Sequence, residues 1–199
     1  MRFYKFISVI LHPIVVPTIG VILYFLLIQN RLQSNQRLAV LGLIFTATYL
    51  IPICILLLFK KLKLIESFKV ENIKERKIPV LVMIVLFYLL AITFVSIPNL
   101  TDLGLLFYTT SFGLGCVYIL FAFQIKASIH LLSLGITTGF FLLMASLYSQ
   151  NFSVLLIICI LLSGTLASAR LHLKAHTPTE VYFGFFLGFF SPIVMYWWL

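Results

Sequence analysis

Seven stretches of this chain, near 3–29, 38–59, 78–97, 103–123, 128–149, 152–169 and 178–199, are almost wholly apolar. A helix that crosses a bilayer needs about 20 mostly apolar residues. In lipid the backbone N–H and C=O groups must be satisfied within the segment itself, so runs of this length and spacing dictate helices. Composition agrees: 62% of the residues are of the AVILMFWYC set, only 10% are charged, and the mean hydropathy is +1.17. A soluble domain is about half apolar and a quarter charged, and could not hide this much apolar surface. Disorder is excluded because it requires low hydrophobicity. The expected architecture is an all-α, polytopic transmembrane helix bundle of six to seven spans, forming one integral membrane domain over residues 1–199. Seven is the direct count. Six follows if the 128–149 or the 178–199 run is re-entrant or broken.

The first run has Arg2 and Lys5 in front of it, as a signal peptide would. It also carries His12, Pro13 and Pro17, exceeds the usual length of a signal-peptide core, and is followed by no small-residue cleavage site. It reads as a retained helix kinked by its prolines. The last run ends in Tyr196, Trp197 and Trp198, an aromatic end suited to the headgroup zone. No internal repeat is visible, and the only substantial connector is 60–77.

The formal net charge is +9, but the basic residues lie between apolar runs rather than on a soluble face, so the chain does not read as a nucleic-acid binder. Arg2, Lys5, Lys60, Lys61, Lys63, Lys69, Lys74, Arg76, Lys77, Lys126, Arg170 and Lys174 fall on one side of a seven-span chain. Only Arg31 and Arg37 fall on the other, a split of 12 to 2. The positive-inside rule makes the first side cytoplasmic, in a cell (inner) membrane. The Lys60, Lys61, Lys63 cluster reads first as topology anchoring and also suits anionic headgroups.

Acidic residues are scarce: Glu66, Glu71, Glu75, Asp102 and Glu180. A single aspartate cannot build an aspartate-rich magnesium site, since magnesium takes several hard oxygen ligands. Cys54, Cys116 and Cys159 lie inside apolar runs without metal-ligand spacing and read as small buried apolar residues. Neither metal nor cofactor is expected.

Charged and histidine side chains within or at the ends of spans are expensive and suggest function. Three groups stand out, all on the basic side. The first runs from Lys69 through Arg76 to Pro79, at the entry to the third run, where Pro79 fits the first turn of a helix. Alone, it reads as an amphipathic loop. The second is Lys126-Ala127-Ser128-Ile129-His130, in which Ser128 suits a helix cap and His130 faces either bundle or lipid. The third is Arg170-Leu-His172-Leu-Lys174-Ala-His176-Thr177-Pro178-Thr179-Glu180. Here Thr177 and Glu180 form a capping box with proline at the first helical position. A capping glutamate also places its carboxylate beside His176, where it would fix the tautomer and orient the ring. Histidines, one with a carboxylate, amid fixed cations suit phosphoryl transfer without a metal: arginine binds phosphate, one imidazole attacks phosphorus and another protonates the leaving oxygen.

The third group resembles the last signature of the type 2 phosphatidic acid phosphatase family, the membrane branch of the haloperoxidase-like superfamily, which reads S-R-x5-H-x3-D. Here Arg170, His176 and Glu180 keep the spacing, with glutamate for aspartate. Val181-Tyr182-Phe183-Gly184 through Gly188 is similar to the family's final helix, with small residues for close packing. The family's P-S-G-H motif is matched by Ala127-Ser128-Ile129-His130, which lacks the proline and the glycine. Its K-x6-R-P motif is matched by Lys69 and Arg76, with Pro79 two residues late; Lys74 and Lys77 are alternative lysines. The resemblance covers about 60–190. It implies a phosphatidic acid phosphatase type 2/haloperoxidase-like core in which His176 is the nucleophile, Glu180 orients it and His130 protonates the leaving alcohol. Lys69, Arg76 and Arg170 would hold the phosphate, helped by Ser128. The implied partners are membrane lipids and a lipid phosphate substrate: phosphatidic acid, phosphatidylglycerol phosphate, a polyprenyl phosphate or diphosphate, or a lipid A phosphate. The alternative is an inactive relative that binds anionic lipid or serves as a subunit of a membrane assembly.

Overall fold

The structure, a computed structural model, describes residues 1–28, 32–65 and 72–199. Its described residues form helices α1 (Arg2–Ile10), α2 (Val16–Leu27), α3 (Ser34–Phe45), α4 (Ile51–Lys61), α5 (Ile73–Val95), α6 (Thr101–Leu120), α7 (Ile129–Tyr148), α8 (Ser153–His172) and α9 (Pro178–Trp198). A π-helical turn, Thr46–Leu50, joins α3 to α4 just before Pro52, so that Ser34–Lys61 runs on as one 28-residue unit. The chain is a multi-pass helical membrane protein: this unit, α5, α6, α7, α8 and α9 are six helices long and apolar enough to cross a bilayer.

The run that departs from the sevenfold count is the first, not 128–149 or 178–199. Instead of one kinked helix it forms α1 and α2, separated at Leu11–Val15. Pro13 has no N–H to give and disfavours helical geometry at His12. The His12 carbonyl then accepts from the amides of Val15 (2.8 Å) and Val16 (3.1 Å), restarting the helix with Pro17 in its first turn.

α6 and α7 are the inner helices: half or more of their most apolar windows is buried (50% and 56%), against 22–28% in the other four spans. The outer helices turn leucine, isoleucine and phenylalanine outward, as a lipid-facing surface requires. Phe87 and Phe94 of α5 stack on Phe107 of α6, closing the core between those two helices.

α7 and α9 meet backbone to backbone. A Cβ on Gly135 or Gly139 of α7 would run into the main chain of Phe185 or Phe189, and one on Gly188 into that of Leu132. Gly184 sits against the carbonyl of Ser128. Two glycine pairs four residues apart, one on each helix, thus interlock, the small-residue mode of helix association in membranes. The Ser128 amide donates to the Glu180 carbonyl (3.0 Å), which locks the start of α7 to the start of α9. Of the cysteines, Cys159 is buried, Cys116 half-buried and Cys54 exposed, so Cys54 departs from its expected burial.

Candidate functional site

Successive helices run up and down, so the N-terminal ends of α5, α7 and α9 and the C-terminal end of α8 gather at one end of the bundle. That end carries Arg76, His130, Arg170 and His176. All four line one cavity of about 230 Å³, together with His12 from the break between α1 and α2. Below this polar mouth the cavity has a mainly apolar lining, with Thr110, Ser133 and Thr137 among it. It descends past Met83 and Phe87 of α5 and Leu132, Ile136 and Phe141 of α7. At about 1.5 Å per helical residue, the twelve residues from Ile129 to Phe141 carry it about 18 Å into the bundle.

His176 is buried, with 8% of its surface exposed. Its Nδ1 lies 2.7 Å from Oε2 of Glu180. A carboxylate only accepts, so Nδ1 carries the proton and the lone pair of the neutral ring is on Nε2. Glu180 Oε2 also accepts from the Thr177 amide (3.3 Å), and the Thr177 hydroxyl accepts from the Glu180 amide (3.4 Å). One carboxylate therefore caps α9 and braces the histidine beside it. Burial pushes the His176 ring down to about 4, and the charges of Arg170 and Arg76 add to this, against the opposing pull of Glu180. The ring is neutral at pH 7, as a nucleophile must be.

Arg170, in the last turn of α8, donates from Nη1 to the Ser8 hydroxyl of α1 (2.9 Å). Its Nε is buried and has no hydrogen-bond partner among the described residues, and the same holds for Nε2 of His130. The His130 ring meets the His12 ring edge-on, with centroids 5.0 Å apart. Arg170 and His130 both line the cavity, and unpaired buried polar atoms in the residues of a cavity wall are a recurrent feature of ligand sites.

Several expectations need correction. α5 begins at Ile73, six residues before Pro79, so Pro79 lies inside the helix rather than in its first turn; Arg76 occupies that turn. Lys74 and Lys77 are exposed and do not line the cavity, while Lys69 lies outside the described residues. Ser128 stands at the N-cap position of α7, but its hydroxyl makes no capping bond. That hydroxyl is buried, partnerless among the described residues, and off the cavity wall. Gly184 presses on the Ser128 main chain, so the residue joins two helices rather than reaching into the site.

His12 and Ser8 were not among the expected site residues. The signal for His12 was in the sequence: a histidine followed by proline inside an apolar run is both costly and helix-breaking. Ser8 carries no such signal, since serine is common in apolar helices. No protein-family model, curated protein or solved structure matches the chain.

Proposed function

We propose that this protein is a membrane-embedded, metal-independent lipid phosphate phosphatase that works through a phosphohistidine, on the pattern of the type 2 phosphatidic acid phosphatase family. The supporting observation is that the His176–Glu180 pair opens on the same cavity as Arg76, Arg170 and His130. Arg76 and Arg170 draw the phosphate to the mouth and stabilise charge on its oxygens, the largest contribution expected in phosphoryl transfer. The His176 Nε2 lone pair attacks phosphorus, forming the N–P bond as the P–O bond to the lipid breaks. His130 gives its proton to the departing oxygen. Water, losing a proton to His130, then cleaves the N–P bond and releases inorganic phosphate. The apolar depth of the cavity suits an amphiphile, and the charge bias favours a mouth on the cytoplasmic side.

The test is phosphate release from a panel of lipid phosphates by the detergent-solubilised full chain in excess chelator. The expected result is release that persists with chelator and is lost in His176→Ala. Turnover that survives His176→Ala would overturn the nucleophile assignment. The exposure of Lys74 and Lys77 favours a second reading, in which the cup binds an anionic lipid head without turnover. Binding of phosphatidic acid vesicles with no release from any lipid phosphate would select it.

A further inference from the structure

The break in the N-terminal segment is built into the polar cup. Two contacts fix α1 along the end of α8: the Tyr4 ring lies on the His172 ring, with centroids 4.1 Å apart, and the Ser8 hydroxyl accepts from Arg170. The helix ends at Ile10, and His12, four residues after Ser8, is delivered edge-on to His130 at the cavity wall. The Nδ1 of His12 accepts from the Ile14 amide (3.3 Å), a bond that requires the lone pair there. The neutral ring therefore carries its proton on Nε2, the nitrogen left for a ligand.

His12 lines the same cavity as Arg76, His130, Arg170 and His176. An amphiphile with its phosphate among Arg76, Arg170 and His176 would present its oxygens to this shared wall. His130 and Arg170 line the same cavity, and Nε2 of the one and Nε of the other are buried and without partners among the described residues.

We propose that His12 is a further phosphate-contacting residue, donating its Nε2–H to the ester oxygen on the leaving-group side, and that Ser8 is a positioning residue that fixes the Arg170 guanidinium. The inference rests on the phosphatase reading for the identity of the ester; the anion contact does not depend on it.

The experiment compares the full-length wild type with His12→Ala, His12→Gln and Ser8→Ala in detergent. Calorimetry measures affinity for orthovanadate, which mimics phosphate in attack geometry, and phosphate release is measured on phosphatidic acid. Removing a donor to a charged group should weaken vanadate and lower kcat/KM by about tenfold to a hundredfold in His12→Ala. Glutamine, whose amide nitrogen reaches a similar position, should recover most of this loss. Ser8→Ala should lower kcat more than it raises KM, because it loosens Arg170 without removing it. If His12→Ala binds vanadate and turns over like wild type, the inference fails and the phosphatase reading stands. If His12→Gln is as impaired as His12→Ala, the ring only fills space and the inference also fails. If wild type binds vanadate more tightly than His12→Ala yet hydrolyses no lipid phosphate, the inference stands and the phosphatase reading fails.

Discussion

The two ends of the bundle treat polar groups in opposite ways. At the end away from the cavity mouth, Asp102 opens α6 and accepts from the hydroxyls of Tyr24 (3.0 Å) and Tyr148 (2.6 Å). One carboxylate there ties α2, α6 and α7 together, and the donors around it point inward to it. At the mouth, Glu180 is equally engaged, with His176 and Thr177, and Arg170 donates to Ser8, but not every buried polar atom is satisfied. Nε2 of His130 and Nε of Arg170 are left without partners among the described residues. A polar cluster that satisfies itself holds helices together; one with unpaired polar atoms in the residues that line a cavity is suited to a ligand. The contrast predicts that substitutions at one end change turnover and at the other change stability.

The largest effect belongs to the nucleophile. His176→Ala should cut kcat by at least about a thousandfold, as loss of a covalent nucleophile does. Its thermal unfolding in detergent should stay near that of wild type. Next comes the clamp: Arg170→Ala removes a charge facing the transferring phosphoryl group and should lower kcat/KM by about 10²–10³-fold, read by steady-state phosphate release.

The acid limb of the pH profile sharpens the same end. The His176 ring is held down to about 4 from an ordinary value of 6.5, so kcat/KM should hold as pH falls through the usual histidine range and drop only on approaching about 4. Linkage gives the matching sign for stability. Between those values the unfolded chain binds the proton and the folded one does not, so acidification below 6.5 should lower the unfolding midpoint.

Between the two ends, Gly184→Ala would drive a Cβ into the Ser128 carbonyl. Overpacking of this kind costs about 1–3 kcal/mol, and it should lower both the unfolding midpoint and turnover because Ser128 and His130 move with α7. The smallest effect is at the far end. Tyr148→Phe removes one donor to Asp102 and should cost about 0.6–1.7 kcal/mol of stability, with kcat unchanged.

Much of this was legible in the sequence. Hydrophobic length alone places the six long helices, because a bilayer leaves no other way to satisfy the backbone. The Thr177–Glu180 capping box is legible because its chemistry is local, and the His176 contact follows from the same four residues. The break at His12 was only half legible. Two prolines announce a distortion, but whether the chain bends or parts depends on what packs against it. Here α8 takes up α1, through Tyr4 and Ser8. Ser128 misleads for the same reason: a serine before a helix reads as a cap. Gly184, 56 residues later, presses on its main chain, and the Ser128 amide bonds to Glu180 instead. Pro79 misleads because its position suits a first turn, yet α5 starts at Ile73 and carries Arg76 to the mouth.

The account turns on a covalent bond between phosphorus and one ring nitrogen. Rapid quench of the full-length protein with radiolabelled phosphatidic acid, followed by alkaline digestion and mass spectrometry, looks for that bond directly. The account predicts an acid-labile phosphoryl group on His176, absent from His176→Ala and accumulating when His130 is replaced by alanine if loss of the base slows hydrolysis more than attack. Turnover in wild type with no label on His176, or with label on another residue, would contradict it.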